Sequence, residues 1–181
     1  MHVGEIGNEE VLVTTDDSGH IAVHFPSNPS RPALNLKLPL SAWGIDTHSS
    51  SRLLVVSCNA HIVTIYHLGM GIENWPWTTT SGTTVAGPIG VCSQAENEDV
   101  TRRVTAAVRA AEGGFPSLTL LGHKNNIPCV AFDRTGNYVV SGSLDRTVRM
   151  WNCRNGQCVW KLDTSEYVPS IRSLSASLFQ Y

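Results

Sequence analysis

Charge is scarce in this sequence. Lysine and arginine number 13 and aspartate and glutamate 15, so 15% of the 181 residues are charged and the net charge is −2. A chain that binds nucleic acid by neutralising phosphates needs a basic excess, and none exists here, so direct nucleic-acid binding is not expected. Low charge beside 41% hydrophobic residues also separates the chain from disordered polymers. No apolar run approaches the roughly 18 residues of a membrane span, so no membrane partner is expected. The first ten residues, MHVGEIGNEE, lack the basic start and apolar stretch of a secretion signal. Cysteine is sparse and odd in number: Cys58, Cys92, Cys129, Cys153 and Cys158 follow no framework spacing. That predicts reduced thiols in an intracellular chain, nuclear in preference to cytoplasmic. A Gly-rich phosphate loop is absent too, and no cofactor is expected.

What the sequence does contain is a repeat. VLVTTDDSGHIAVHF (11–25), LLVVSCNAHIVTIYH (53–67) and YVVSGSLDRTVRMW (138–151) each read as a β-rich run, a short polar turn and a second β-rich run ending near an aromatic residue. In the second runs apolar residues alternate, as in Ile21, Val23 and Phe25, which is hairpin patterning with a period of two. Phe25 and Tyr66 are 41 residues apart, within the roughly 40–45 of a four-stranded propeller repeat; Tyr66 and Trp151 are 85 apart. Further strands are expected near 31–38, 41–48, 117–121, 127–133 and 157–162. Trp43 is expected in the core by its strand position.

The chain therefore divides into two degenerate blades over 3–68, an insertion over 69–116, a well-formed blade over 117–162 and a Ser-rich tail over 163–181. Within the insertion a helix is expected over 97–112. Asn97 is placed to cap it, Val100, Val104 and Val108 recur at four-residue steps, and Gly113-Gly114 would end it. The fold class is all-β: about three blades of a propeller, partial or truncated, with a helical insertion. Closed propellers need roughly 4–8 blades.

The last repeat is the most specific. It reads Gly122-His123, then AFDRTGNY (131–138), then SGSLDRTV (141–148), then Trp151-Asn152. This pattern resembles the WD40 family. The resemblance implies a structural tetrad in which a histidine before the first strand, a serine on the second, an aspartate in the turn and a tryptophan on the third are hydrogen-bonded. The matching positions are His123, Ser141, Asp145 and Trp151. A Ser, a His and an Asp in one network also suggest a hydrolase triad, but Ser141 lies within a strand and no Gly-x-Ser-x-Gly elbow surrounds it.

Two finer resemblances bear on function. Val139 to Ser143, Asp145, Val148, Met150, Trp151 and Arg154 resemble the box with which some WD40 proteins dock on the adaptor of cullin-4-type ubiquitin ligases. Arg154 matches the docking arginine, whereas Asn152 stands where that box has an acidic residue. The words Ser41-Ala42-Trp43-Gly44 and His123-Lys124-Asn125-Asn126-Ile127-Pro128 resemble a fungal WD40 family named for constitutive transcription of ribonucleotide reductase and linked to DNA-damage responses. Both imply a non-enzymatic scaffold that binds other proteins, either as a regulator of that transcription or as a ligase substrate receptor. A propeller hydrolase would need catalytic groups at inner-strand ends, where Asp46, His48 and Asp133 are scattered. Trp75 and Trp77, flanking Pro76 in the insertion, join Arg154 as candidate partner-binding residues. Cys58, His61 and His67 offer only three metal ligands in a segment already explained by strand pattern, so no metal is expected.

Overall fold

The computed structural model describes residues 1–69, 89–91, 115, 117–168 and 170–171. Among them all regular structure is β. The strands are β1 (His2–Ile6), β2 (Glu9–Thr15), β3 (His20–His24), β4 (Leu34–Lys37), β5 (Ala42–His48), β6 (Leu53–Cys58), β7 (Ile62–His67), β8 (Ile89–Val91), β9 (Ser117–Leu121), β10 (Cys129–Phe132), β11 (Tyr138–Gly142), β12 (Thr147–Asn152) and β13 (Cys158–Asp163). They form three sheets, ordered β1-β2-β3-β4, β5-β6-β7-β9-β8 and β10-β11-β12-β13. Every pairing is antiparallel except β8 with β9, a three-residue parallel addition at the edge of the middle sheet. The helix expected over 97–112 lies outside the described residues, as do Trp75 and Trp77.

Each expected hairpin is present: β2 with β3, β6 with β7, and β11 with β12. The turns share one geometry. Gly19, His61 and Arg146 take the same slot with φ of 86°, 61° and 64°. Two of these carry a Cβ in the left-handed region, so the surrounding hydrogen bonds fix the turn against local preference. β1 was not anticipated in the sequence pattern. Only alternate residues of it are covered, and it pairs with Glu9–Val13, at the start of the first repeat.

Two details correct the sequence reading. Ser117–Leu121, grouped above with the last blade, hydrogen-bonds to β7 and completes the middle sheet. The sequence repeat and the sheet are thus offset by one strand, so the covalent chain laces adjacent sheets together. Phe25, read as the counterpart of Trp151, is one position out of register. Counting from the turns, His24, Tyr66 and Trp151 are equivalent.

The sheets stack face to face. β6 and β7 are buried at every position because both faces of the middle sheet are covered, which is why LLVVSC and IVTIYH are almost continuously apolar. Leu54, Val56, Cys58, Ile62 and Tyr66 pack on Val11, Val13, Ile21, Val23 and Leu36 of the first sheet. On the other side Leu53, Val55, Val63 and Ile65 meet Val130, Val139 and Trp151 of the third. The leading strands β1, β5 and β10 lie beside one another. Asp46 on β5 accepts the Phe132 amide at 2.7 Å, and His2 reaches Thr47 at 3.3 Å. This is the stacking of propeller blades about one axis.

Burial predicts where truncation will hurt. Ile65→Ala, at a side chain with 0% exposure, is expected to cost about 2–5 kcal/mol in denaturant unfolding, whereas Leu162→Ala, 39% exposed, should cost well under half of that.

Candidate functional site

The four residues assigned to the tetrad lie on four elements: His123 in the link from β9 to β10, Ser141 on β11, Asp145 in the β11–β12 turn and Trp151 on β12. Ser141 and Trp151 are both fully buried. Trp151 Nε1 donates to Ser141 Oγ at 2.8 Å. Ser141 Oγ is 2.8 Å from His123 Nε2, and His123 Nδ1 is 2.9 Å from Asp145 Oδ2. Donor and acceptor counting settles the protons. The carboxylate only accepts, so His123 Nδ1 carries hydrogen. Nε2 then accepts from the Ser141 hydroxyl, which in turn accepts from the indole. Every polar atom in the chain of bonds is satisfied with a neutral imidazole.

Asp145 does more than hold His123. Its Oδ1 accepts from the Thr147 amide at 2.9 Å and the Thr147 hydroxyl at 2.7 Å, and its Oδ2 takes the Lys124 amide at 2.8 Å. Ser143 Oγ donates to the carbonyls of Asn125 and Asn126 at 3.1 and 3.0 Å. The β11–β12 turn thereby grips the whole β9–β10 link. In the first sheet Asp16 closes the equivalent turn by accepting from the Ser18 and His20 amides, each at 2.9 Å, but no tetrad forms there. The middle sheet carries Val56 and Tyr66 where Ser141 and Trp151 stand.

Burial sets the protonation states. It pushes His123 below the 6.5 of a free histidine, Asp145 pulling the other way and Arg149 and His61 adding to the fall. Burial opposes ionisation of Asp145, but His123, Thr147 and the Lys124 amide outweigh it and hold the carboxyl well below the usual carboxylate range. Ser141 is sealed from solvent, so this set cannot meet a substrate. It is a strut between turn, link and strand. Asp46, His48 and Asp133 are likewise committed: Asp46 to the Phe132 amide, His48 to the Arg134 carbonyl at 3.1 Å, and Asp133 to the Thr135 and Tyr138 amides at 3.1 and 2.9 Å. Cys58, His61 and His67 do not converge, and among the described residues no three His, Cys, Asp or Glu form a metal-binding group.

The surface candidates fall out differently. Arg154 is exposed in the turn after β12, its amide donating to Asn152 Oδ1 at 2.8 Å. Trp43, expected in the core, is 48% exposed. The cause is an irregularity in the β5–β6 register between Ala42 and Ile45, which breaks the alternation of faces where Trp43 sits. Leu40, three residues earlier in the link from β4 to β5, is 50% exposed. Sequence periodicity alone cannot reveal a bulge, so the strand pattern of 41–48 favours a buried Trp43 over an exposed one.

Removing the indole donor while keeping an aromatic ring, as in Trp151→Phe, should cost about 1–3 kcal/mol, because Ser141 is left buried without its donor. Tyr66→Phe loses a longer bond, 3.3 Å to the Lys37 carbonyl, and should cost less. The pH dependence has a definite sign. The unfolded chain protonates its histidines near 6.5, whereas burial keeps His123 and His67 neutral in the fold. Stability is therefore full above about pH 6.5 and falls as the pH drops below it. Thermal melting from pH 7.5 to 5 should show that decline, with a flatter slope in His123→Gln.

The comparisons with known proteins agree with this geometry. Residues 114–152 match the family described as WD domain, G-beta repeat. The match takes in β9 to β12, that is, the strand that pairs with β7 in the middle sheet and the segment from His123 to Trp151 that holds the tetrad. The chain is 24% identical over 182 residues to an uncharacterized WD repeat-containing protein of Schizosaccharomyces pombe, covering 97% of this chain and 30% of that protein. It is 28% identical over 158 residues to a WD40 repeat-containing protein of Dictyostelium discoideum, covering 87% and 18% respectively. Over 48 residues it is 44% identical to the small ribosomal subunit protein RACK1 of Trypanosoma brucei brucei, covering 26% and 15%. The chain thus spans less than a third of the length of these relatives. Residues 114–152 are thus similar to a WD40 repeat, and they lie within three stacked sheets arranged as in part of a β-propeller.

Proposed function

We propose that the chain is a non-enzymatic protein-interaction scaffold whose partner docks around Leu40 and Trp43. The observation that carries this reading is the exposure of Trp43, 48%, on a leading strand whose other residues are at least half covered. An exposed tryptophan on a rigid strand is of a residue type enriched in binding hot spots, and Leu40, in the link leading into that strand, adds exposed apolar area. Ser141, Asp46, His48 and Asp133, the groups weighed for catalysis, are engaged in structural hydrogen bonds, and WD40 domains commonly serve as platforms for other proteins.

The finer role we infer is a nuclear regulator tied to ribonucleotide reductase transcription and the DNA-damage response. Its support is the likeness of Ser41-Ala42-Trp43-Gly44 and of residues 123–128 to the fungal family named above, and Trp43 belongs to the first of those words. A second reading, docking on a cullin-4-type ligase adaptor, is favoured by Arg154, which is exposed three residues after Trp151.

Affinity capture of the tagged chain from nuclear extract separates them. Trp43→Ser is expected to lose transcription regulators at least fivefold at an unchanged melting temperature, with Arg154→Ala unaffected. Loss of the cullin-4 adaptor in Arg154→Ala alone selects the second reading. Equal recovery in both variants rejects both.

A further inference from the structure

The strand β5 carries Trp43 near its start and His48 at its end. The turn after His48, residues 49–52, lies between turns of the two neighbouring sheets. On one side it meets the β1–β2 turn: the Gly7 amide donates to the Ser49 carbonyl at 2.8 Å, and a Cβ at Gly7 would lie 3.3 Å from Arg52 Nε. On the other side it meets the β10–β11 turn. His48 Nδ1 accepts from the Ser51 amide at 3.3 Å, so Nε2 carries hydrogen and donates to the Arg134 carbonyl at 3.1 Å. A Cβ at Gly136 would fall 2.5 Å from His48 Nδ1 and 2.7 Å from Ser51 Oγ, so the two turns are in close contact. The β12–β13 turn is tied to the same place by the Cys153 amide, which donates to the Asn137 carbonyl at 2.8 Å.

These turns read SSSR (49–52), RTGN (134–137) and CRNGQ (153–157). They present Arg52, Arg134 and Arg154 to solvent and contain no aspartate or glutamate. The carboxylates beside them are engaged: Asp133 is buried and accepts the Thr135 and Tyr138 amides, and Asp46 accepts the Phe132 amide. Among the described residues neither Arg52 nor Arg134 has a carboxylate partner. A chain whose net charge is −2 has thus gathered arginine, unopposed, at one end of two adjacent sheets. The backbone adds a second observation. Arg52 has φ of 52°, in the left-handed region, whereas the two flanking turns use glycine for that conformation, Gly7 at 67° and Gly136 at 71°. An arginine there carries strain that the glycines avoid, and strained positions of this kind cluster where the side chain has a task.

We propose that the end of the stack formed by Arg52, Arg134 and Arg154 docks an acidic, extended segment of a partner protein. Neighbouring sheets stack about 10 Å apart, and extended chain advances about 3.3 Å per residue, so carboxylates three residues apart reach Arg52 and Arg134 together. Each guanidinium can take a carboxylate through two parallel hydrogen bonds. The bonds of His48 and Ser51 hold the two turns at a fixed spacing, so little ordering accompanies docking. A nucleic acid is the other polyanion of this shape, but its phosphates call for a wider basic field than this chain carries. The surface lies at the opposite end of β5 from Trp43 and is a separate site from the one around that residue.

The probe is a fluorescein-labelled peptide of repeated Glu-Gly-Ser, titrated with the full 181-residue chain and read by anisotropy. Binding should weaken steadily as sodium chloride is raised, because exposed charges are screened within about 10 Å at 0.1 M salt. Each exposed pair contributes roughly two- to fivefold, so Arg52→Glu with Arg134→Glu should bind at least fivefold more weakly. Arg146→Glu, the same charge change in an exposed turn at the opposite end, should stay within twofold of the parent. Arg52→Gly separates task from fold. Glycine suits the left-handed backbone, so melting should stay level or rise while binding falls at least twofold. A merely structural arginine would give the reverse, lower melting with binding intact, and that result overturns the proposal. If the double variant loses its cooperative melt, Arg52→Gly with Arg134→Ser takes its place with the same expected loss. Arg154 is unchanged throughout, so the outcome is independent of the ligase-adaptor reading. Absence of salt-sensitive binding in the parent, affinity indifferent to Arg52 and Arg134, or tighter binding of an oligothymidylate than of the peptide each overturns the proposal.

Discussion

The burial of both faces of β6 and β7 is the constraint on which the rest depends. A single sheet has one apolar face to hide, but a sheet in the middle of a stack has two. Its strands must then be apolar at every position and its neighbours must each present a matching face. The first sheet meets that demand with Val11, Val13, Ile21 and Val23, and the third with Val130, Val139 and Trp151. From this stacking follow the adjacency of the three leading strands and the bonds that Asp46 and His48 make across them.

Apolar stacking alone leaves sheets free to slide, and the polar groups remove that freedom. In the third sheet the link from the preceding sheet is tied at His123 and Lys124 to Asp145, and at Asn125 and Asn126 to Ser143. A neutral histidine buried between a serine and an aspartate can be satisfied in only one arrangement of link, strand and turn. The same groups that would suggest catalysis if exposed act here as fasteners, because no solvent reaches Ser141. The offset between sequence repeat and sheet serves the same end. β9 belongs to the matched repeat yet closes the sheet before it, so unstacking two sheets also strains a covalent link.

The two outward faces of the stack are unlike. The first sheet shows Glu5, Leu12, Thr14 and His24 outward, a mixed face that water tolerates. The third shows valine, methionine and tryptophan, and the chain folds its own Val168 and Ile171 onto them. Apolar area of that kind promotes association unless something covers it, which gives the tail a physical task that its Ser-rich composition conceals.

Period-two alternation and turn residues at regular intervals were enough to determine an all-β chain and its three hairpins, because each is a local pattern read within a few residues, whereas the members of the His–Ser–Asp–Trp set, spread from residue 123 to 151, were implied only by the resemblance of the last repeat to the WD40 family. The sequence could not decide which sheet Ser117–Leu121 joins, since a strand's partner is chosen by the surface it meets and not by its own composition. Nor could it place Trp43 outside, because a register irregularity costs nothing in the pattern yet turns a side chain to solvent. The offset of Phe25 from the tryptophan position is set by strand register counted from the turns, which the sequence pattern does not carry. Val168 and Ile171 were legible as a tail and nothing more until a neighbouring face gave them something to bury against. Local physics fixed the strands; only tertiary packing decided which surfaces were spent on the fold and which were left for partners.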